Sequence, residues 1–266
     1  MKFNTIKSLT FLFVTVAFLI PANAQYLCVQ SAAGITANSG KLEAGTDLVP
    51  DALLAFSSKT DKALFMDNKG TLWLASAESL PGDSILQASL STVLQAYKGY
   101  ETRGFRKTED RILDLKTYFG SGKFTVIGSS LEVLLDAKNY PLNNDRFVVF
   151  YYKIGEKQVS KKVGFNNQKL IIEKDKLFTS GNAVNQTTEL RNLVIYTHRI
   201  SKKETEAITK IHLGFVEKET LKQELNTIKK WATDHGITEV EKCVTAFFSA
   251  VYGRCDVKQW NDVMLN

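Results

Sequence analysis

The sequence predicts an α+β fold in which a small N-terminal β-roll or barrel precedes a β-rich domain closed by C-terminal helices. Short apolar runs broken by turn residues fill the chain up to about residue 80, and longer, more apolar runs resume near residue 110. The last fifty or so residues switch to helical periodicity.

Residues 1–24 read as a signal peptide. Lys2 and Lys7 supply a positive start, Leu9 to Ile20 an apolar run of twelve, and Pro21 its end. Ala22-Asn23-Ala24 places small residues at the two positions a signal peptidase inspects, so cleavage is expected between Ala24 and Gln25. Twelve residues at ~1.5 Å each cover ~18 Å of a ~30 Å hydrocarbon layer, so the segment is too short to span a membrane. Cys28 follows Leu27 beyond the cut and is not placed for lipid attachment. The mature chain is expected to be soluble and periplasmic or extracellular.

Cleavage removes Lys2 and Lys7 and no acid, taking the formal net charge from +6 to +4. The lysine doublets 161–162, 202–203 and 229–230 stand far apart, so no nucleic-acid stripe is expected. A chain of this size buries enough surface to fold without disulfides. Three cysteines remain, Cys28, Cys243 and Cys255, and an odd number leaves one unpaired in a monomer. Cys243 and Cys255 are the nearest pair, but a helix reaching Tyr252 holds them ~13 Å apart along its axis, beyond the ~7 Å a bridge allows. Whether any two are bridged stays open.

Residues 25–80 form the expected small β-domain, with strands at Tyr26 to Val29, Leu53 to Ser57, Ala63 to Met66 and Thr71 to Leu74. Asp67-Asn68-Lys69-Gly70 turns the last two into a hairpin. Residues 81–108 read as a connector that opens at Pro81-Gly82-Asp83, holds a short helix within Ser84 to Tyr97 and turns polar and basic after Gly99. Its Thr102-Arg103-Gly104 offers an arginine able to grip a carboxylate or phosphate bidentately, beside the simpler reading of a solvated linker.

Residues 109–266 are expected as the β-rich domain with its helices. Strands fall at Lys123 to Ile127, Arg146 to Lys153, Gln158 to Val163 and Lys169 to Ile172, and a hairpin joins Thr188 to Arg199 with Glu206 to Val216. The unbroken run Phe147 to Tyr152 predicts a strand covered on both faces, with its aromatics as core. In the first helix Val216, Leu221, Leu225, Ile228 and Ala232 are expected to share a face and Gly236 stops it. A second starts from the capping box Thr238 to Glu241, and a third begins at Asp256.

Gly34, Lys41-Leu42, Gly45, Leu53 to Phe56, Lys62 to Phe65, Gly70 and Trp73 together resemble the small β-domains at the front of exported bacterial proteins, including ferric-citrate-sensor-like domains. Asp114 to Phe119, Ala137 to Asn143, Arg146-Phe147 and Phe150-Tyr151-Tyr152 resemble a group of such proteins with no assigned function. The resemblance implies a shared architecture and carries over no catalytic or binding residue.

Chemistry is sparse. Gly120-Ser121-Gly122-Lys123 resembles the end of a phosphate loop, but Thr117 stands where glycine is required and Phe124 where a magnesium-binding hydroxyl belongs, so a turn into the next strand is expected. His198 is expected opposite Ala207 and far from His212, and His235 at a helix end. Cys243 is expected in the core. Carboxylate pairs such as Glu109-Asp110 or Glu204 and Glu206 read as surface acids. No catalytic, cofactor-binding or metal-binding residue is designated. The expected function is an exported, non-catalytic binding or interaction protein of the bacterial envelope, taking a protein or small-ligand partner. The alternative is an envelope hydrolase using carboxylate acid/base chemistry.

Overall fold

The computed structural model describes residues 25–81, 86–97, 111–180, 183–184 and 189–265. The fold is α+β and strand-rich, with its long helices at the C-terminal end. The front module is a pair of open sheets that face each other. One runs in the order Asp47–Leu48, Tyr26–Ser31, Lys62–Asp67, Leu72–Ser76 and Leu94–Ala96, the other in the order Gly40–Lys41, Ile35–Ala37, Leu53–Phe56 and Gln87–Ser89. Cys28, Ile35, Leu54, Phe65, Leu90 and Val93 fill the space between them.

The expected hairpin forms. Asp67 Oδ1 accepts the amides of Lys69 and Thr71, its Oδ2 accepts Trp73 Nε1, and Gly70 takes φ 76°. The stretch expected as a connector helix differs, because only Leu90–Val93 is helical. Gln87–Ser89 pairs with Leu53 to Ala55 and Leu94–Ala96 with Trp73 to Ala75, so backbone pairing outcompetes a weak helical pattern.

In the second β-unit a five-stranded sheet has the order Lys123–Ile127, Glu204–Val216, Glu189–Arg199, Arg146–Ile154 and Lys157–Lys162, its first pair parallel and the rest antiparallel. A three-stranded sheet of Ser130–Leu134, Lys169–Glu173 and Gly164–Asn166 contributes to the same core. Phe119, Phe124, Phe150, Tyr152, Ile195 and Leu213 are buried there, and the Tyr152 hydroxyl donates to Leu177 O at 2.6 Å.

The long hairpin turns one residue earlier than expected. Arg199 pairs with Glu204 and His198 with Thr205, not with Ala207. Asp145 accounts for the shift: its carboxylate accepts the Ser201 amide at 2.7 Å and hydroxyl at 2.8 Å, while Lys203 takes φ 53° to close a four-residue loop.

Helices Lys218–Asp234, Val240–Val251 and Val257–Met264 form a layer between the two β-units. Leu221, Leu225, Phe247 and Phe248 pack in one cluster with Leu27, Val29, Leu64 and Met66 of the front sheet and with Ile127 and Val216 of the second unit. The front strands are therefore covered on both faces, which explains the unbroken burial from Ala63 to Asp67. The capping box expected at Thr238 does not form, since the helix begins at Val240 with Glu239 at the N-cap and no side-chain cap bond. Asp256 does cap the third helix, accepting the Lys258 and Gln259 amides. Gln259 turns instead to the second unit and bonds Ile127 N and O and Ser130 O.

Candidate functional site

Residues directly opposite one another in an antiparallel sheet share a face, so the register sorts the side chains of the five-stranded sheet. Phe147, His198 and Thr205 form one row. The next holds Lys162, Val149, Tyr196 and Ala207, and the one after Ser160, Tyr151, Val194 and Lys210. Lys153 opposite Gln158 continues the same face.

Burial along Arg146–Ile154 alternates, with Val148, Phe150 and Tyr152 inside and Phe147, Val149 and Tyr151 half-buried. The strand expected to be covered on both faces is covered on one. Its other face is a shallow depression of about 600 Å³ floored by Phe147, Val149, Tyr151 and Tyr196.

The side chains there hold one another. Tyr151 and Tyr196 meet edge to face with ring centres 6.4 Å apart, and Phe147 lies 5.4 Å from the His198 ring. Lys162 places its ammonium 4.2 Å from the centre of Phe147 and 5.3 Å from that of Phe165. His198 Nδ1 and the Thr205 hydroxyl are 2.8 Å apart, which fixes the ring's orientation.

At the other end of the sheet Lys123 Nζ meets Glu189 at 2.6 Å. Burial pushes the Glu189 carboxyl up, but the hydrogen bond and charge of Lys123, helped by Arg191 and His212, outweigh it and leave the group below its usual range. Lys123 also lies 5.8 Å from the Tyr252 ring, whose hydroxyl donates to Glu224 at 2.6 Å. Burial raises the Glu224 carboxyl against that bond. A smaller depression of about 330 Å³, bordered by Gln30, Lys62, Tyr97 and Ala250 among others, lies between the front sheet and the second helix.

Gly120 caps a short helix, Leu115–Phe119, and Lys123 opens a strand with its ammonium on Glu189, so the glycine-rich stretch is a turn. His212 lies seven residues past the partner of His198. His235 Nδ1 sits 2.8 Å from Trp231 O, and its ring lies tilted against that of Trp231 with centres 4.5 Å apart, at the helix end where it was expected. Cys28, Cys243 and Cys255 are buried free thiols. Burial pushes Cys28 up to about 12 and raises the other two, so none is a ready thiolate. Glu204 and Glu206 are exposed in the hairpin. Thr102-Arg103-Gly104 and Glu109-Asp110 lie outside the described residues. Among the described residues no three His, Cys, Asp or Glu side chains converge as metal ligands would, and no helix is long and apolar enough to cross a membrane.

The aromatic sheet face was the feature that sequence reasoning missed. One signal was available: Phe147, Val149, Tyr151 and Lys153 share a parity that ends in a lysine, the mark of an outward face. No family model, curated protein or solved structure matches the chain.

Proposed function

We propose that this is an exported, non-catalytic binding protein of the bacterial envelope whose ligand surface is the outer face of the five-stranded sheet. In this reading residues 1–24 direct export and the front module is a β-roll that helps hold the helical layer. One observation carries the proposal. A sheet packed on one side needs only polar residues on the other, yet here Phe147, Tyr151, Tyr196 and His198 stand half-exposed around a concave surface. Leaving large rings in water forgoes on the order of 1 kcal/mol or more of burial each, which a ligand recovers.

The hydrolase alternative has one observation on its side. Glu224 is held protonated to higher pH and Glu189 ionised to lower pH, the division that acid and base carboxyls need. Neither residue lines either depression described above, which favours the binding reading.

Sedimentation with insoluble envelope material tests the proposal. Mature protein should pellet with it, and Tyr151→Ser/Tyr196→Ser should pellet several-fold less while still melting cooperatively, within a few degrees of the unaltered protein. Equal retention of the two proteins would remove the sheet face from the function.

A further inference from the structure

We infer that the ligand of this face is an acidic oligosaccharide chain, an inference that rests on the binding reading above. The charge of the face points first to an anion. Lys153, Lys162 and Lys210 occupy outward positions in successive rows, and His212 follows Lys210 two residues along the same strand. Among the described residues none of these three lysines has a carboxylate within ion-pair distance, while Glu189 on the same sheet is already matched to Lys123. An anion crossing the face therefore meets unmatched positive charge along its length.

The rest of the surface narrows the class. Rings, hydroxyls and ammonium groups alternate over neighbouring rows: Tyr151 beside Ser160, Tyr196 in one row with Lys162 across Val149, His198 beside Thr205. A ligand matching that alternation carries an apolar C–H face, hydroxyl groups and an anionic group in one repeating unit, as an acidic sugar does. Lys162, which lines the depression, is held over Phe147, and with no carboxylate on it among the described residues its ammonium can donate to a carboxylate or sulfate. A single nucleic-acid strand would need open ring faces for its bases. Here the Phe147 ring already carries that ammonium, and Tyr151 shares its row with Ser160 and Lys210, so the rings are interspersed with hydroxyl and ammonium groups rather than laid out as a continuous stacking platform. The concave shape suits a chain segment rather than a flat lipid surface, and about 600 Å³ lies within the range of small-ligand sites.

The test uses mature protein, residues 25–266, titrated calorimetrically with tetragalacturonate, a heparin-derived tetrasaccharide, neutral cellotetraose and a four-nucleotide thymidine oligomer. At least one acidic tetrasaccharide should bind. Cellotetraose and the oligonucleotide should bind at least about tenfold more weakly. Lys162→Gln should weaken the acidic sugar about tenfold, with Lys162→Arg restoring most of it, and Tyr196→Ala should abolish it. Lys162→Gln and Lys162→Arg should leave the melting temperature in place, and Tyr196→Ala, which loses one cross-strand ring pair, should lower it by only a few degrees. Equal or tighter binding of cellotetraose or the oligonucleotide would overturn the acidic-sugar assignment. Acidic-sugar binding insensitive to Lys162 and Tyr196 would overturn the placement on this face. If no tetrasaccharide binds, the inference fails, while envelope retention that still depends on Tyr151 and Tyr196 would leave the binding reading standing.

Discussion

Gly253 joins the helices to the second sheet by a contact that no other residue can make. It sits at φ 77°, and a β-carbon there would lie 2.3 Å from Lys123 O. The approach is that close because Arg254 N donates to Lys123 O at 2.9 Å and Thr125 N donates to Arg254 O at 2.7 Å, so Gly253 to Cys255 runs along the sheet edge like a short extra strand. Gly253→Ala suffers both the left-handed backbone penalty and the overlap, and should cost roughly 2–4 kcal/mol in urea unfolding. A change below about 0.5 kcal/mol would show that this junction is loose. That a helix reaching Tyr252 should end at the following glycine is legible in the sequence. The glycine's second role is not, because nothing local says that Lys123 arrives from the other side of the molecule.

Helix starts separate what a sequence can say about an element from what it cannot. Thr238 and Asp256 both read as N-caps, and only Asp256 serves as one, because it also accepts the Tyr118 hydroxyl at 2.9 Å from a distant stretch of the chain. Burial first and Asp256 second push the Tyr118 hydroxyl well above its ordinary range, so it stays a donor. Asp256→Ala should lose the cap and strand that buried hydroxyl, about 2–3 kcal/mol together, whereas Thr238→Ala should stay within about 0.5 kcal/mol. Equal costs, measured by urea unfolding, would contradict the structure. The same limit explains the strand Arg146–Ile154. An unbroken apolar run gave its existence, but a run of six apolar residues hides which face is open, and that is set by a helical layer that packs elsewhere. Elements were thus largely readable and the open aromatic face was not, since a face is defined by what fails to cover it.

The helical layer ties the two β-units into one cooperative structure. Leu27, Val29, Leu64 and Met66 have no cover within the front module's own core, and Trp231 Nε1 reaches across to the Asp47 carboxylate. Residues 25–266 should melt in a single calorimetric transition whose van't Hoff and calorimetric enthalpies agree. A chain ending at Val216 should show no cooperative transition and should bind a hydrophobic dye; cooperative melting of that fragment would overturn the coupling. This arrangement also sets a timetable. The front strands are made first, but the helix that covers them emerges roughly 150 residues later, on the order of ten seconds at ordinary synthesis rates. During that interval Leu27, Val29, Leu64 and Met66 face whatever surrounds the growing chain. A polypeptide built this way is kept from finishing its fold until its last segment is delivered.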